Sequence, residues 1–441
     1  MGIAAMDILC CRITIGDADP SNPMKILGGV EITEVHTLEI NESYKKLVGT
    51  AKVSFPKGSV CRSTIIGNVT LEGKDVSRIT TEVMQDGVII EKRGTQRLVD
   101  ETTFKVGQRI NIKLGYNGVL KNMFDGYITG YNSDSMLEIQ CENMAYKLKL
   151  KQAPHFETPA KGTTVNEVLE GKYNILKDTG FRIHSDTKQF EIHIGKVKVT
   201  DNFTVADILS EWSKYKVYCF LKYDADNEGT MPSIAVGRPY SSSKAQPVFP
   251  EDESTGPFKI RFNEHVAQSD LKVVKTDPKF LAVTGKALGT DEKFFEVTIR
   301  LNPEYDPSVA GSRQYQTVNA TQISKKTHKV TGNTTATGAA TKTKADLSTY
   351  TIVPYMSPHI GITSDQLVEE TTEYFRNYNL NGITGSVTIF GDFGLQPAVQ
   401  VELIDNRNPS KNGVYLVEEV SPTFGVGGYR QQLSIPYKIR K

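Results

Sequence analysis

Apolar and polar residues alternate in short runs over most of this chain. They do so from Ile8 to Ile15, from Val30 to Ile40, through Ala51, Val53 and Phe55, and from Val88 to Ile90. Period-two alternation marks a half-buried strand, and Gly28-Gly29, Asp86-Gly87 and Gly115 supply turn signals between the runs. The first segment, residues 1–152, therefore predicts a β-barrel or sandwich.

The pattern changes over residues 153–256. Thr164 stands before Val165, Val168 and Leu169 with Glu167 three residues on, a capping box that opens a helix. The phrase returns at Thr204, Val205, Asp207, Ile208 and Leu209, where Trp212 continues the apolar stripe and Phe203 is placed to staple against Ile208. A strand at Val217 to Leu221 and a hairpin partner at Ser233 to Val236 complete an α+β module, with Trp212 as a core anchor.

Residues 257–441 return to alternation and replay the end of the first segment. Ile110, Ile112 and Leu114, then Asp125-Gly126 as a turn, then Leu137, Ile139 and Cys141, then Tyr146-Lys147-Leu148 form the early copy. Val399, Val401 and Leu403, then Asn412-Gly413, then Leu433 and Ile435, then Tyr437-Lys438-Ile439 form the late copy, at an offset of about 290 residues. Asp-Gly and Asn-Gly suit tight hairpins. A duplicated antiparallel unit within one chain points to a symmetric assembly before it points to an active site. The expected fold is mainly β: two antiparallel β-barrel domains, 1–152 and 257–441, flanking the α+β module.

Two insertions interrupt the last segment. Residues 311–344 are rich in Thr, Lys, Ala, Gly and Gln, and Thr331 to Lys344 holds no large apolar residue. Such a stretch predicts a long mobile loop that is dispensable for folding. A helix is expected over 364–378, capped by Thr363 with Gln366, with Val368, Thr371, Phe375 and Tyr378 on one face.

At 441 residues the chain is long enough for two to four domains, and its net charge of +1 gives no bulk attraction to nucleic acid or anionic membranes. Neither sequence-specific nucleic-acid binding nor stable membrane insertion is expected. Asp7 and Arg12 interrupt the apolar N-terminal run, so no signal peptide is read. Cys10, Cys11, Cys61, Cys141 and Cys219 have no metal spacing, and adjacent strand residues such as Cys10 and Cys11 point to opposite faces. They read as reduced thiols in a cytoplasmic setting.

The catalytic motifs are missing. His36, His155, His184, His193, His265, His328 and His359 form no zinc-binding pair, and no phosphate loop or nucleophile elbow is present. Gly425, Gly427 and Gly428 lie between strands, as a hairpin turn would, and not before a helix. Glu251-Asp252-Glu253 read as a solvated linker and Glu369-Glu370 as the exposed face of a helix. No catalytic, cofactor-binding or metal-binding residue is assigned, and no cofactor is expected.

Gly413 to Ser421 (GVYLVEEVS), followed by Phe424 to Leu433 with its Gly-Gly-Tyr-Arg, resembles the closing strands of phage tail baseplate hub proteins, the late control D proteins of contractile tails. Phe124 to Ile128 with Leu137 to Glu142 resembles that family's first barrel, and Phe203 to Trp212 resembles the helix of its inserted module. The resemblance covers most of the chain as a domain order, with loose β motifs. It implies two tail-tube-like barrels per subunit and a homotrimeric ring of pseudo-sixfold symmetry. That ring adapts a sixfold tail tube protein to a threefold spike, among other baseplate proteins. Hub-spike fusions continue into further domains, so the end of this chain after the second copy implies a separate spike protein. The Thr/Lys-rich loop has no counterpart in the family pattern. The implied place is the virion, at the tail tip or baseplate, after assembly in the host cytoplasm. Two other classes compete: a receptor- or glycan-binding tail protein, which predicts aromatic residues in the loop, and a tail-associated peptidoglycan hydrolase, which predicts a convergent His or carboxylate cluster.

Overall fold

The computed structural model describes residues 8–63, 77–85, 88–134, 136–159, 163–188, 193–194, 197–200, 202–215, 217–223, 229–237, 257–273, 280–288, 293–304, 308, 314–324, 330–332, 347–357, 364–380, 383–391 and 394–440. The chain is mainly β, with a large antiparallel sheet, as the alternation predicts.

The first β unit runs through β1 (Leu9–Ala18), β2 (Ile26–Ile32), β3 (Thr37–Ser43), β4 (Thr50–Phe55), β5 (Val60–Ser63), β6 (Ser77–Gln85), β7 (Val88–Leu98), β8 (Arg109–Tyr116), β9 (Val119–Asn132) and β10 (Leu137–Asn143). Their order in space is β3-β4-β10-β9-β8-β1-β2-β5-β7-β6. Alternate residues of β1, β3, β4, β8 and β10 (Ile13 and Ile15, Leu38 and Ile40, Val53 and Phe55, Ile110 and Ile112, Ile139 and Cys141) share one buried core. Cys11, Cys61, Cys141 and Cys219 are buried free thiols, and burial pushes the Cys11 thiol up to about 12.

Several expected turns lie inside strands. Gly28 and Gly29 sit in β2, where its register with β1 shifts between Ile15 and Asp17, and Gly115 sits in β8. Asp125-Gly126 is the middle of β9, and the hairpin between β8 and β9 turns at Asn117 and Gly118. Gly126 is small for another reason: a Cβ there would lie 2.1 Å from the Glu142 carbonyl oxygen on β10. Tyr146 to Leu150 form a helix, α1 (Tyr146–Leu150), while the corresponding late residues form a strand.

The following segment carries β11 (Phe156–Glu157), β12 (Thr163–Thr164), α2 (Val165–Leu169), α3 (Ser185–Lys188), β13 (His193–Ile194), β14 (Lys198–Val199), α4 (Val205–Glu211), β15 (Tyr218–Lys222) and β16 (Ser233–Gly237). Both expected capping boxes are present: Thr164 caps α2 reciprocally with Glu167, and Thr204 caps α4 with Asp207. Trp212 is buried in a core shared with Leu148 of α1 and Val168 of α2, while Phe203 is largely exposed.

The rest of the chain contains β17 (Phe258–Arg261), α5 (Phe262–His265), β18 (Val266–Ser269), β19 (Lys272–Val273), β20 (Leu281–Leu288), β21 (Lys293–Leu301), β22 (Tyr315–Ser324), β23 (Val330–Gly332), β24 (Thr351–Met356), α6 (Ser364–Leu380), β25 (Ile383–Thr384), β26 (Ser386–Phe390), β27 (Gln400–Ile404), β28 (Gly413–Leu416), β29 (Glu419–Gly425), β30 (Gly428–Ser434) and β31 (Tyr437–Arg440). Strands β20 to β24 make a five-stranded sheet, covered by α6 through Leu367, Thr371 and Phe375. Part of the expected loop belongs to this sheet: β22 pairs with β21 from Tyr315 to Ser324, and Tyr315 packs edge-on against Phe375 at 5.4 Å. Polar Thr and Gln hid this strand, because only one of its faces needs apolar cover. Residues 333–344, like Glu251-Asp252-Glu253 and Thr363, lie outside the described residues. Glu370, expected on the exposed face of α6, accepts hydrogen bonds from Ser357 Oγ at 2.6 Å and Tyr355 Oη at 3.3 Å.

The strand order of the first unit recurs here. In space, β3-β4-β10-β9-β8 is matched by β18-β26-β30-β29 with β28-β27, every neighbour antiparallel. Where β9 is one strand bridging both partners, its late counterpart breaks between Leu416 and Glu419 into β28 and β29. The insertions differ: β5 to β7 interrupt the early order, and the five-stranded sheet with α6 interrupts the late one.

Candidate functional site

The two β units join through one shared ladder. β29 pairs with β30 on one side and with β3 on the other, so a hairpin of the late unit extends the sheet of the early one. The ladder with β3 runs from Glu419 opposite Ser43 to Gly425 opposite Thr37, and is interrupted beside Pro422, which has no N–H to give.

The hairpin also fills the neighbouring core. Phe424 and Tyr429 face each other across it at 5.7 Å, and both belong to the core of the first unit. The Tyr116 hydroxyl donates to the Tyr429 carbonyl at 3.2 Å, with the two rings 5.7 Å apart. Gly391 lets the Tyr429 ring lie against the backbone, since a Cβ there would stand 2.1 Å from the ring. Two buried aromatic side chains at one seam contribute about 1.5–3 kcal/mol each through area removed from water.

A second contact anchors the other end of the ladder. Tyr44, fully buried, meets Tyr218 at 5.6 Å, Phe220, Ala235 and Leu416, so both β units and the α+β segment converge there. Its hydroxyl donates to Glu418 Oε2 at 3.4 Å, and Lys45 pairs with the same carboxylate.

Behind the seam, β8 and β9 hold a buried ion pair. Arg109 Nη2 lies 3.1 Å from Asp125 Oδ1, with both side chains sealed from solvent. Arg109 also donates to the carbonyls of Pro23, at 2.9 Å, and Gly126, and sits over the Tyr127 ring. Asp125 accepts further bonds from Asn111 and Asn122. A pair so fully bonded tolerates burial, whereas one partner alone would not. Asp125-Gly126 thus stands out in the sequence for its ion pair and close backbone approach, not for a turn.

Among the described residues the histidines do not converge. His265 accepts from the Arg261 N–H through Nδ1, and its Nε2 lies 3.8 Å from Glu264. His328 and His359 lie outside the described residues. Among the described residues no group of three His, Cys, Asp or Glu side chains is placed to hold a metal ion. No helix among them is long and apolar enough to cross a membrane. Gly425 to Gly428 form the hairpin turn expected of them, at the tip of the donated β29–β30 pair.

No family model matches the chain, and no curated protein matches it. Several solved structures align with it over most of its length. The 43 kDa tail protein of prophage MuSo2 from Shewanella oneidensis aligns over 98% of each chain at 11% identity, with a TM-score of 0.49. A tail protein from Neisseria meningitidis MC58 aligns over 97% of this chain and 96% of its own at 12% identity, with a TM-score of 0.48. The Francisella PdpA–VgrG complex aligns over 98% of this chain and 53% of its own at 10% identity, with a TM-score of 0.45. At such identities no residue role passes from them to this chain.

Proposed function

We propose that this chain is a structural hub at the tip of a phage or phage-derived tail. Three copies form a ring in which six related β units join a tail tube protein to a spike, with other baseplate proteins around it. The protein acts by geometry and not by catalysis, in the virion, after assembly in the host cytoplasm.

One observation carries this reading: the seam between the two units has an unfilled counterpart. Within the chain, the edge of β3 receives the β29–β30 hairpin. The strand in the place of β3 is β18, and among the described residues it pairs only with β26. The hairpin in the place of β29–β30 is the distal half of β9 with β10, and Thr129 to Asn132 have β10 on one side and, among the described residues, no strand on the other. Its tip exposes Tyr131 at 47% and Met136 at 38%, where Phe424 and Tyr429 are buried in the filled seam. Neither open edge carries a charge: β18 reads Val-Ala-Gln-Ser and the open part of β9 reads Thr-Gly-Tyr-Asn. Each has a register shift, at Ala267 in β18 and at Thr129 in β9, but neither has the Lys or Pro that also guards the edges of monomeric proteins. A donor edge and an acceptor edge at different places on one chain make a heterologous contact, which closes into a ring when the rotation allows. Three chains with two units each satisfy the sixfold geometry of a tube.

The test is the mass of the purified chain by light scattering at micromolar concentration. The expected particle is three times 48.9 kDa, and Tyr131→Asp should return it to a single chain. A stable monomer under all conditions, including with the tube protein present, would count against the ring. Degradation of purified peptidoglycan by the chain would count against a purely structural role.

A further inference from the structure

A cavity of about 350 Å³ lies where the two β units meet the α+β segment. Its walls are apolar at Met24, Ile40, Phe124 and Leu395, with Val420 and Pro422 from the seam strand β29. Glu42 of β3 lines it, directly opposite Val420 in the ladder. Ligand pockets of small molecules begin near this size, and have this make-up of apolar walls with few polar groups.

The charges in the cavity are unevenly matched. Asp125 also lines it, but that carboxylate is already bonded by Arg109, Asn111 and Asn122. Glu42 has the Asn143 amide as its hydrogen-bond partner, and among the described residues no cation forms an ion pair with it. Lys121 lines the cavity as well, and the Tyr223 hydroxyl closes the side towards the α+β segment, donating to the Asp125 carbonyl at 3.4 Å. We propose that this cavity binds a small primary ammonium ligand, with the Glu42 carboxylate as its counter-ion and the apolar walls covering its alkyl part. An anion would face Glu42 and Asp125 together. A neutral ligand would offer the Glu42 carboxylate no charge partner and so gain nothing from it.

The acid–base state of Glu42 adds a signature. Burial, with a smaller contribution from the Asp125 charge, raises its carboxyl to about 7, against the hydrogen bond from Asn143. Without ligand Glu42 is therefore largely protonated below pH 7, and a bound ammonium favours the carboxylate. Binding then releases a proton, so affinity rises with pH while the ligand stays charged.

The probe is n-butylammonium chloride, titrated calorimetrically into the full chain at pH 6 and pH 8, with 1-butanol and butyrate as neutral and anionic controls. The expected result is binding of butylammonium alone, about tenfold tighter at pH 8, with a proton released at pH 6. Glu42→Gln should weaken it about tenfold or more and remove the pH dependence. Thr230→Phe, at an exposed lining position, should block the cavity while leaving Glu42 in place. Equal binding of butanol, unchanged affinity in Glu42→Gln, or no binding of butylammonium at millimolar concentration overturns the proposal. The cavity lies within one chain, so either outcome leaves the ring reading to its own test.

Discussion

β3 and β18 hold corresponding places in the two strand orders, yet one edge is covered and the other is open. β3 receives a hairpin whose Phe424 and Tyr429 sit inside the first unit. β18, which has no charged residue where β3 has Glu39 and Glu42, faces solvent with Ala267, Gln268 and Ser269 exposed. The contrast separates a contact that is satisfied within the chain from one that is not. One copy of the contact is satisfied within the chain and fixes the relative placement of the two units. In the proposed ring the other would be filled by a second chain.

The largest expected effect breaks the frame on which the filled seam is built. Asp125→Ala leaves the Arg109 guanidinium buried without its counter-charge, and should cost about 3–5 kcal/mol in urea unfolding. A loss under 1 kcal/mol would mean that the ion pair does not organise β8 and β9. Next comes the seam itself. Phe424→Ala should cost about 3 kcal/mol, since its cavity would open inside a core that belongs to the other unit. If the first unit's transition stayed where it was, the shared core would be wrong.

Acidity sharpens the comparison at intermediate size. The folded Glu42 carboxyl sits near 7, above its ordinary value of 4.5, because burial disfavours its charged form. Its contribution to stability is thus complete below pH 4.5 and is lost as pH rises through 7. Discounted for water in the cavity, the loss is on the order of 2 kcal/mol. Thermal melts across pH 5 to 8 should show this decline, and Glu42→Gln should flatten it. Asp207 behaves oppositely: hydrogen bonds from Thr204 hold its carboxyl low, so that contribution fades only on strong acidification. Thr204→Ala, far from the seam, should cost about 1 kcal/mol through the lost cap and leave the profile from pH 5 to 8 alone. Smallest of all, Tyr131→Ala on the open hairpin should change the unfolding of an isolated chain by about 0.5 kcal/mol or less. Its effect should be on assembly instead, which is the contrast with Phe424.

Much of the fold was legible in the sequence because alternation and capping act locally. Ile110, Ile112 and Leu114 announce β8, and Thr164 with Glu167 announces α2. Glycine was harder to read, since one residue type serves turns and close contacts alike: Asp125-Gly126 looks like a hairpin and is the inside of a strand. β22 was missed because Thr and Gln pair along a ladder without needing two apolar faces. The seam itself was hidden. Phe424 and Tyr429 stand in a recognisable phrase, but nothing local says that their core lies more than 300 residues earlier, among Ile13, Leu38 and Ile110. Glu42 gave no signal either, because its neighbours Asn143 and Asp125 come from distant strands.

The ring is tested most directly by electron microscopy of the purified chain, alone and with the tube protein. Particles with threefold symmetry, six lobes and an open axial passage are expected, and they should be lost in the Tyr131→Asp variant. Single-chain particles in both preparations, or twofold particles that pair like edges with like, would contradict it.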